Sequence, residues 1–163
     1  MKTIKVLLFL LILPAVVSIK AEASFSAGPP QVKKHQAKRI IRKTAVVILI
    51  AHKKVKEGKI YTGNLARATS HQKYALHLYR TGKYFRAIHH SRRARMLALA
   101  AIKANKGGET SDMNYSKEDE ALFKAGPNDD ELDKDLAAAR PTEATKDEEI
   151  IGSEPAVDLS EKE

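Results

Sequence analysis

The six histidines are the side chains in this sequence with the widest range of chemistry. An imidazole can ligate a metal ion, exchange a proton near neutral pH or hydrogen-bond inside a core. On a helical period, His52, His71 and His90 fall on the apolar stripes of three successive segments. The others share faces with Lys and Arg and are expected in solvent: His35, His77 and His89.

The spacing of the inward histidines leaves two interpretations open. In an antiparallel hairpin with a rise of about 1.5 Å per residue, His71 and His90 lie about one turn apart in height, and His52 lies about one turn lower. Neutral imidazoles so placed suit zinc or copper, although zinc normally takes three or four ligands and Glu57 is the only acid nearby. The alternative is that they hydrogen-bond to polar neighbours and fix the helix register. Those neighbours are Thr44, Ser70, Gln72 and Ser91.

The sequence shows no catalytic motif that could use these histidines. The sequence has no Ser-His-Asp order, no glycine-rich phosphate loop and no metal-hydrolase helix. It therefore predicts a protein that is not an enzyme and needs no cofactor, with zinc or copper at His52, His71 and His90 as the alternative.

The charge is divided sharply along the chain. Residues 31–106, the basic domain, hold twenty Lys and Arg against the single acid Glu57. Residues 107–163, the acidic tail, hold eighteen Asp and Glu against six Lys and Arg. A field this positive attracts polyanions, and the acidic tail is the nearest one. We therefore expect the acidic tail to screen the basic domain.

Two clusters of basic residues are the candidate surface for an anionic partner. They are Lys38, Arg39, Arg42 and Lys43 on the first helical segment, and Arg86, Arg92, Arg93 and Arg95 on the third. The partner could be an unknown protein or an anionic surface such as a membrane. Nucleic acid fits the charge, but export would separate the protein from most of it.

The first 23 residues predict export. Lys2 and Lys5 precede a short apolar stretch, and Ala21 and Ala23 fit the small-x-small rule for signal-peptidase cleavage. The rest of the chain has no cysteine, so an exported domain would fold without disulfides. We expect a protein of the bacterial periplasm or a secreted one, with residues 24–30 as a linker.

Periodicity predicts an all-α fold, a three-helix antiparallel bundle over residues 31–106. The helices are expected at 31–57, at about 62–81 and at about 84–105, with a break at Gly82. The composition of the acidic tail predicts that most of it is disordered. Capping patterns at Ser116 and Asn128 indicate short helices over 117–125 and 129–140.

Residues 68–101 resemble a single tetratricopeptide-type helical hairpin. The positions that match that repeat are Gly82, Tyr84, Ala87, Ile88 and Ala94. The positions that depart from it are His71, Tyr74, Ala75 and Leu99. The resemblance implies a helix-turn-helix of that packing style and a role in protein interaction. Together, these features predict an exported binding or adaptor protein; the alternatives are a small envelope metal-binding protein and a binder of anionic membrane surfaces.

Overall fold

The computed structural model describes residues 30–124, 126–139 and 146–152, and these residues form helices without strands. The long helices are α1 (Pro30–Gly58), α2 (Asn64–Arg80) and α3 (Tyr84–Ala104). The acidic tail adds a 3-10 helix (Ser111–Met113), α4 (Lys117–Phe123), α5 (Asp129–Ala139) and α6 (Asp147–Gly152). The all-α class is confirmed for these residues. The predicted signal peptide, with Ala21 and Ala23, lies outside them.

The long helices pack against one another, and α2 and α3 are antiparallel. Tyr79 contacts Tyr84 next to the connection and His71 contacts His90 farther from it, so residue numbers fall along α2 as they rise along α3. Gly82 allows the tight connection because its φ of 78° lies in the left-handed region, which glycine adopts without strain. The described helices include none that is long and apolar enough to cross a membrane.

Two apolar clusters fill the interior of the three long helices. One includes Val47, Val55 and Ile102, and the other includes Ile41 and Ile88. Both are built from residues at helical spacing on α1, α2 and α3, as the periodicity predicts. Along each helix, a few buried polar residues separate the two clusters.

The polar layer between the clusters is hydrogen-bonded across all three helices. Gln72 donates to the Ile41 carbonyl at 2.8 Å and accepts from the Ser91 hydroxyl at 3.0 Å. Thr44 donates to the Ser91 carbonyl at 3.3 Å. Because a register slip would leave these buried groups unpaired, the layer fixes the relative heights of the helices.

The described parts of the acidic tail contain short helices that pack on the basic domain. Helices α4 and α5 agree with the two short helices indicated by the sequence, and α6 was not expected. Asn128 accepts from the Glu131 amide at 2.9 Å and donates its own amide to the Glu131 carboxylate at 3.0 Å, which caps α5 as its sequence indicates. The sequence predicted a mostly disordered tail with two short helices; both helices are present, and the described residues add the 3-10 helix and α6. Residues 125, 140–145 and 153–163 lie outside the description.

Candidate functional site

Arg93 is the centre of a surface on α2 and α3 that binds the acidic helix α5. Its Nε and Nη2 donate to the two carboxylate oxygens of Asp133 at 3.1 and 2.8 Å, and its Nη1 donates to Asp129 at 2.8 Å. Arg93 is 14% exposed. A guanidinium that uses all three nitrogens on two carboxylates fixes both the position and the rotation of α5.

Three further arginines extend this contact, which we call the α5 clamp. Arg92 pairs with Asp129 at 3.2 Å, Arg67 pairs with Asp133 at 2.6 Å, and Arg86 pairs with Asp135. Arg67 and Arg86 are about half exposed, so each of their pairs adds only about 0.2–1 kcal/mol and is weakened by salt.

Leu132 is the apolar anchor of α5. Its side chain is fully buried, whereas the aspartates around it remain a quarter to a third exposed. Asp129, Leu132 and Asp133 lie at i, i+3 and i+4, which places them on one face of the helix. The clamp therefore combines a spaced set of carboxylates with one leucine.

His71 and His90 lie in contact with each other beneath α5. The Nδ1 atoms of the two rings are 3.1 Å apart, and Nε2 of His71 is 2.9 Å from Asp133. Because an ionised carboxylate only accepts, His71 donates through Nε2 and its Nδ1 accepts from His90. Nε2 of His90 is then an unprotonated nitrogen, 3.8 Å from Asp135 and without a hydrogen bond among the described residues.

Burial keeps these imidazoles neutral. It lowers the pKa of His71, although the hydrogen bond and the charge of Asp133 oppose the shift. Burial, together with the neighbouring His71, lowers the pKa of His90 to about 4. For Asp133, burial acts to raise the pKa, but the hydrogen bonds from Arg93 and His71 outweigh it and lower the pKa below its usual value.

A second contact joins α4 to the first predicted basic cluster. Asp119, which is fully buried, pairs with Arg39 and lies 4.0 Å from Nζ of Lys43. The Asp119 amide donates to Ser116 at 3.3 Å, so the cap holds the carboxylate near α1. The structure leaves Lys38 and Arg42 half-buried on the same helix.

A third contact places Asp147 of α6 at the N-terminus of α2. Its carboxylate accepts from the backbone amides of Thr62, Gly63 and Ala66 at 2.9, 2.7 and 2.8 Å. Gly63, the residue before α2, has no side chain with which to cap the helix. An aspartate that is distant in sequence accepts instead from backbone amides at the start of α2. The sequence analysis did not identify this contact; the signal for it is a glycine, which cannot cap, at position 63.

Arg95 was predicted on the outer basic surface, and that prediction is wrong. Its side chain is 1% exposed, and none of its guanidinium nitrogens forms a hydrogen bond within the described part of the chain. Its Cζ lies 4.4 Å from the centre of the Tyr115 ring, a cation–π contact. The Tyr115 hydroxyl donates instead to the Arg92 carbonyl at 3.2 Å.

His89 was expected in solvent and is fully buried, which corrects that assignment. Its ring packs against Phe85 and Phe123, with centroids 4.5 and 6.1 Å away, and both ring nitrogens lack partners among the described residues. Burial, with a smaller effect from the charge of Arg92, lowers the pKa of His89 to about 4. The acidic tail covers a face that helical phase alone assigns to solvent.

The structure separates the three histidines of the metal prediction. His71 and His90 are adjacent, but Nε2 of His52 is 3.2 Å from the Ile150 carbonyl, at the contact with α6. Within residues 30–124, 126–139 and 146–152, no group of three or more His, Cys, Asp or Glu side chains is arranged to hold a metal ion.

Comparisons with models of protein families, with curated protein sequences and with solved structures found no match.

Proposed function

We propose that this is an exported, non-enzymatic helical binding protein whose basic domain engages an anionic partner. In this proposal the acidic tail is an intramolecular screen, and the α2–α3 hairpin is a scaffold of the tetratricopeptide style. The observation that carries the proposal is the α5 clamp, in which Asp129, Asp133 and Asp135 cover arginines of α2 and α3.

The strength of the clamp suits a screen that a partner can displace. Helix α5 has eleven residues, a length that is marginal for an isolated helix in water. Most of its polar contacts are partly exposed and respond to salt. Leu132 is its one fully buried side chain. A competing polyanion thus has few buried contacts to break.

The test compares two full-length triple variants with equal net charge. The first carries Asp129→Asn, Asp133→Asn and Asp135→Asn, which removes the carboxylates of the clamp. The matched control neutralises three exposed acids that lie outside α5. It carries Glu109→Gln, Glu120→Gln and Glu148→Gln.

The probe is fluorescent polyglutamate, followed by anisotropy at low salt. We expect the clamp variant to bind about tenfold more tightly than the control, since about 1.4 kcal/mol of competing contacts is removed. Equal affinities would mean that only net charge matters and that α5 is not a screen. No binding by either folded variant would refute the basic domain as a polyanion receptor.

The Nδ1 contact of His71 and His90 favours one second candidate, a metal-binding protein. The Nε2 hydrogen bond to Asp133 resembles the outer contact that orients a ligating histidine. If these residues bind zinc or copper, the metal raises the melting temperature of the wild type and of His52→Ala, but not of His71→Ala. A rise that persists in His71→Ala would remove this candidate.

A further inference from the structure

We propose that the anionic partner is an acidic amphipathic helix of another polypeptide, which takes the place of α5 across α2 and α3. This inference rests on the proposed function and specifies the chemistry that the α5 clamp recognises. The observation behind it is that the clamp fits the spacing of a helix as well as its charge.

The spacing is set by the arginines. Arg93 binds one carboxylate through two nitrogens and a second carboxylate, four residues earlier in α5, through the third. Carboxylates at i and i+4 stand one above the other only on a helix. Arg86 then meets Asp135, two residues beyond Asp133. A flexible polyanion would have to be ordered to reproduce this arrangement, and that ordering costs entropy.

The leucine excludes partners that carry charge alone. Leu132 is fully buried, and it lies three residues after Asp129. Anionic lipid headgroups and polyphosphates have no apolar group at that position. An acidic helix with the pattern Asp-x-x-Leu-Asp-x-Asp supplies the charge and the anchor together.

The occupant is a different polypeptide rather than a second copy of this chain. A second copy offers the same contacts as the chain's own α5 but lacks the high effective concentration that the tether provides. Another polypeptide can present a longer helix with acids where α5 ends in Ala137, Ala138 and Ala139. Lys83 is exposed just before the first turn of α3, beyond Arg86, where such acids could reach.

The experiment measures binding of two labelled peptides to the full-length chain. The first is residues 126–139, GPNDDELDKDLAAA. The control peptide exchanges the residues at Asp130 and Leu132, so its composition, length and charge are unchanged. The receptor is the chain with Asp129→Asn, Asp133→Asn and Asp135→Asn, checked by circular dichroism. Leu132→Ala replaces it if that variant does not fold.

We expect the first peptide to bind at least about tenfold more tightly than the control, because the control misplaces the buried leucine. The wild-type chain should bind it more weakly than the receptor variant, since its own α5 competes. Equal affinity for the two peptides would overturn the helix partner while leaving the proposed function in place.

Polyglutamate and vesicles containing phosphatidylserine separate the remaining outcomes. Tighter binding of either than of the first peptide would also overturn the helix partner but retain a polyanion receptor. If peptides, polyglutamate and vesicles all fail to bind the folded receptor, the inference and the proposed function both fail.

Discussion

Replacing Arg95 with methionine should stabilise the protein, whereas the same replacement at Arg93, two residues earlier, should destabilise it. The two arginines share α3 and differ in their surroundings. Arg95 is 1% exposed and its guanidinium forms no hydrogen bond or ion pair with a carboxylate among the described residues, while Arg93 binds Asp129 and Asp133.

The magnitudes follow from that difference. Burying an unpaired ion costs several kcal/mol, and the cation–π contact of Arg95 with Tyr115 offsets only about 2 kcal/mol of that cost. An apolar side chain of similar length removes the cost, so Arg95→Met should gain about 1–3 kcal/mol. Arg93→Met loses charged hydrogen bonds and leaves two carboxylates without their main partner. It should cost about 2–3 kcal/mol.

The assay is urea unfolding of the full-length chain, followed by helical circular dichroism. With a slope of about 1–3 kcal/mol per molar urea, the two midpoints should move in opposite directions by roughly 1 M. Replacing Tyr115 with leucine should cost less in Arg95→Met than in the wild type, by about 1–2 kcal/mol, since the cation–π contact is already absent. A loss of stability in Arg95→Met as large as in Arg93→Met would refute the reasoning, because it would mean that the guanidinium has a compensating partner.

Three further predictions concern the contacts of the acidic tail. Burial lowers the pKa of His89 to about 4, against 6.5 in the unfolded chain. The contribution of the neutral ring to folding stability is therefore complete above pH 6.5. It is lost as the pH falls towards 4, because the unfolded chain takes up the proton first. When the pH is lowered from 7.5 to 5, the free energy of unfolding measured in urea should therefore fall by about 2 kcal/mol less in His89→Leu than in the wild type. Equal decreases in the two proteins would contradict this. Asp147→Asn should cost about 1–2 kcal/mol in the same assay, because it replaces one of two oxygens that accept from backbone amides with an amide nitrogen. An effect no larger than that of the exposed Glu148→Gln would argue against the cap. A Cβ at Gly126 would overlap the His89 ring, so Gly126→Ala should lower the free energy of unfolding by about 1–3 kcal/mol in thermal unfolding. A Cβ at Gly108 meets nothing within 4 Å, so Gly108→Ala is the control. An equally small cost for both variants would refute the contact.

The long helices and their ends could be predicted from the sequence. The predicted long helices agree with α1, α2 and α3 within two residues at either end, because apolar spacing and Gly82 are local signals. The hydrogen bond between Gln72 and Ser91 was also accessible, since both residues lie on inward stripes at matching heights.

The positions that prediction missed lie under the acidic tail. Helical phase assigned His89 and Arg95 to solvent because their neighbours on α3 are basic, and a bundle of three helices alone would leave that face open. In the structure, Phe123 and Tyr115 cover it. Which aspartate meets which arginine depends on the path of the tail, and no local pattern encodes that path.

The three contacts of the acidic tail differ in how many side chains they bury. This difference indicates which helix of the tail would dissociate most readily. Asp119 and Asp147 are almost fully buried, and Phe123 and Ile150 pack on the core beside them. Helix α5 has one buried side chain, Leu132, and its aspartates remain accessible to water and salt. Local opening begins where buried contacts are few. In the proposed function, displacement of α5 would uncover Arg93 and the imidazole pair while α4 and α6 stay in place, so the surface would open without unfolding of the domain that presents it.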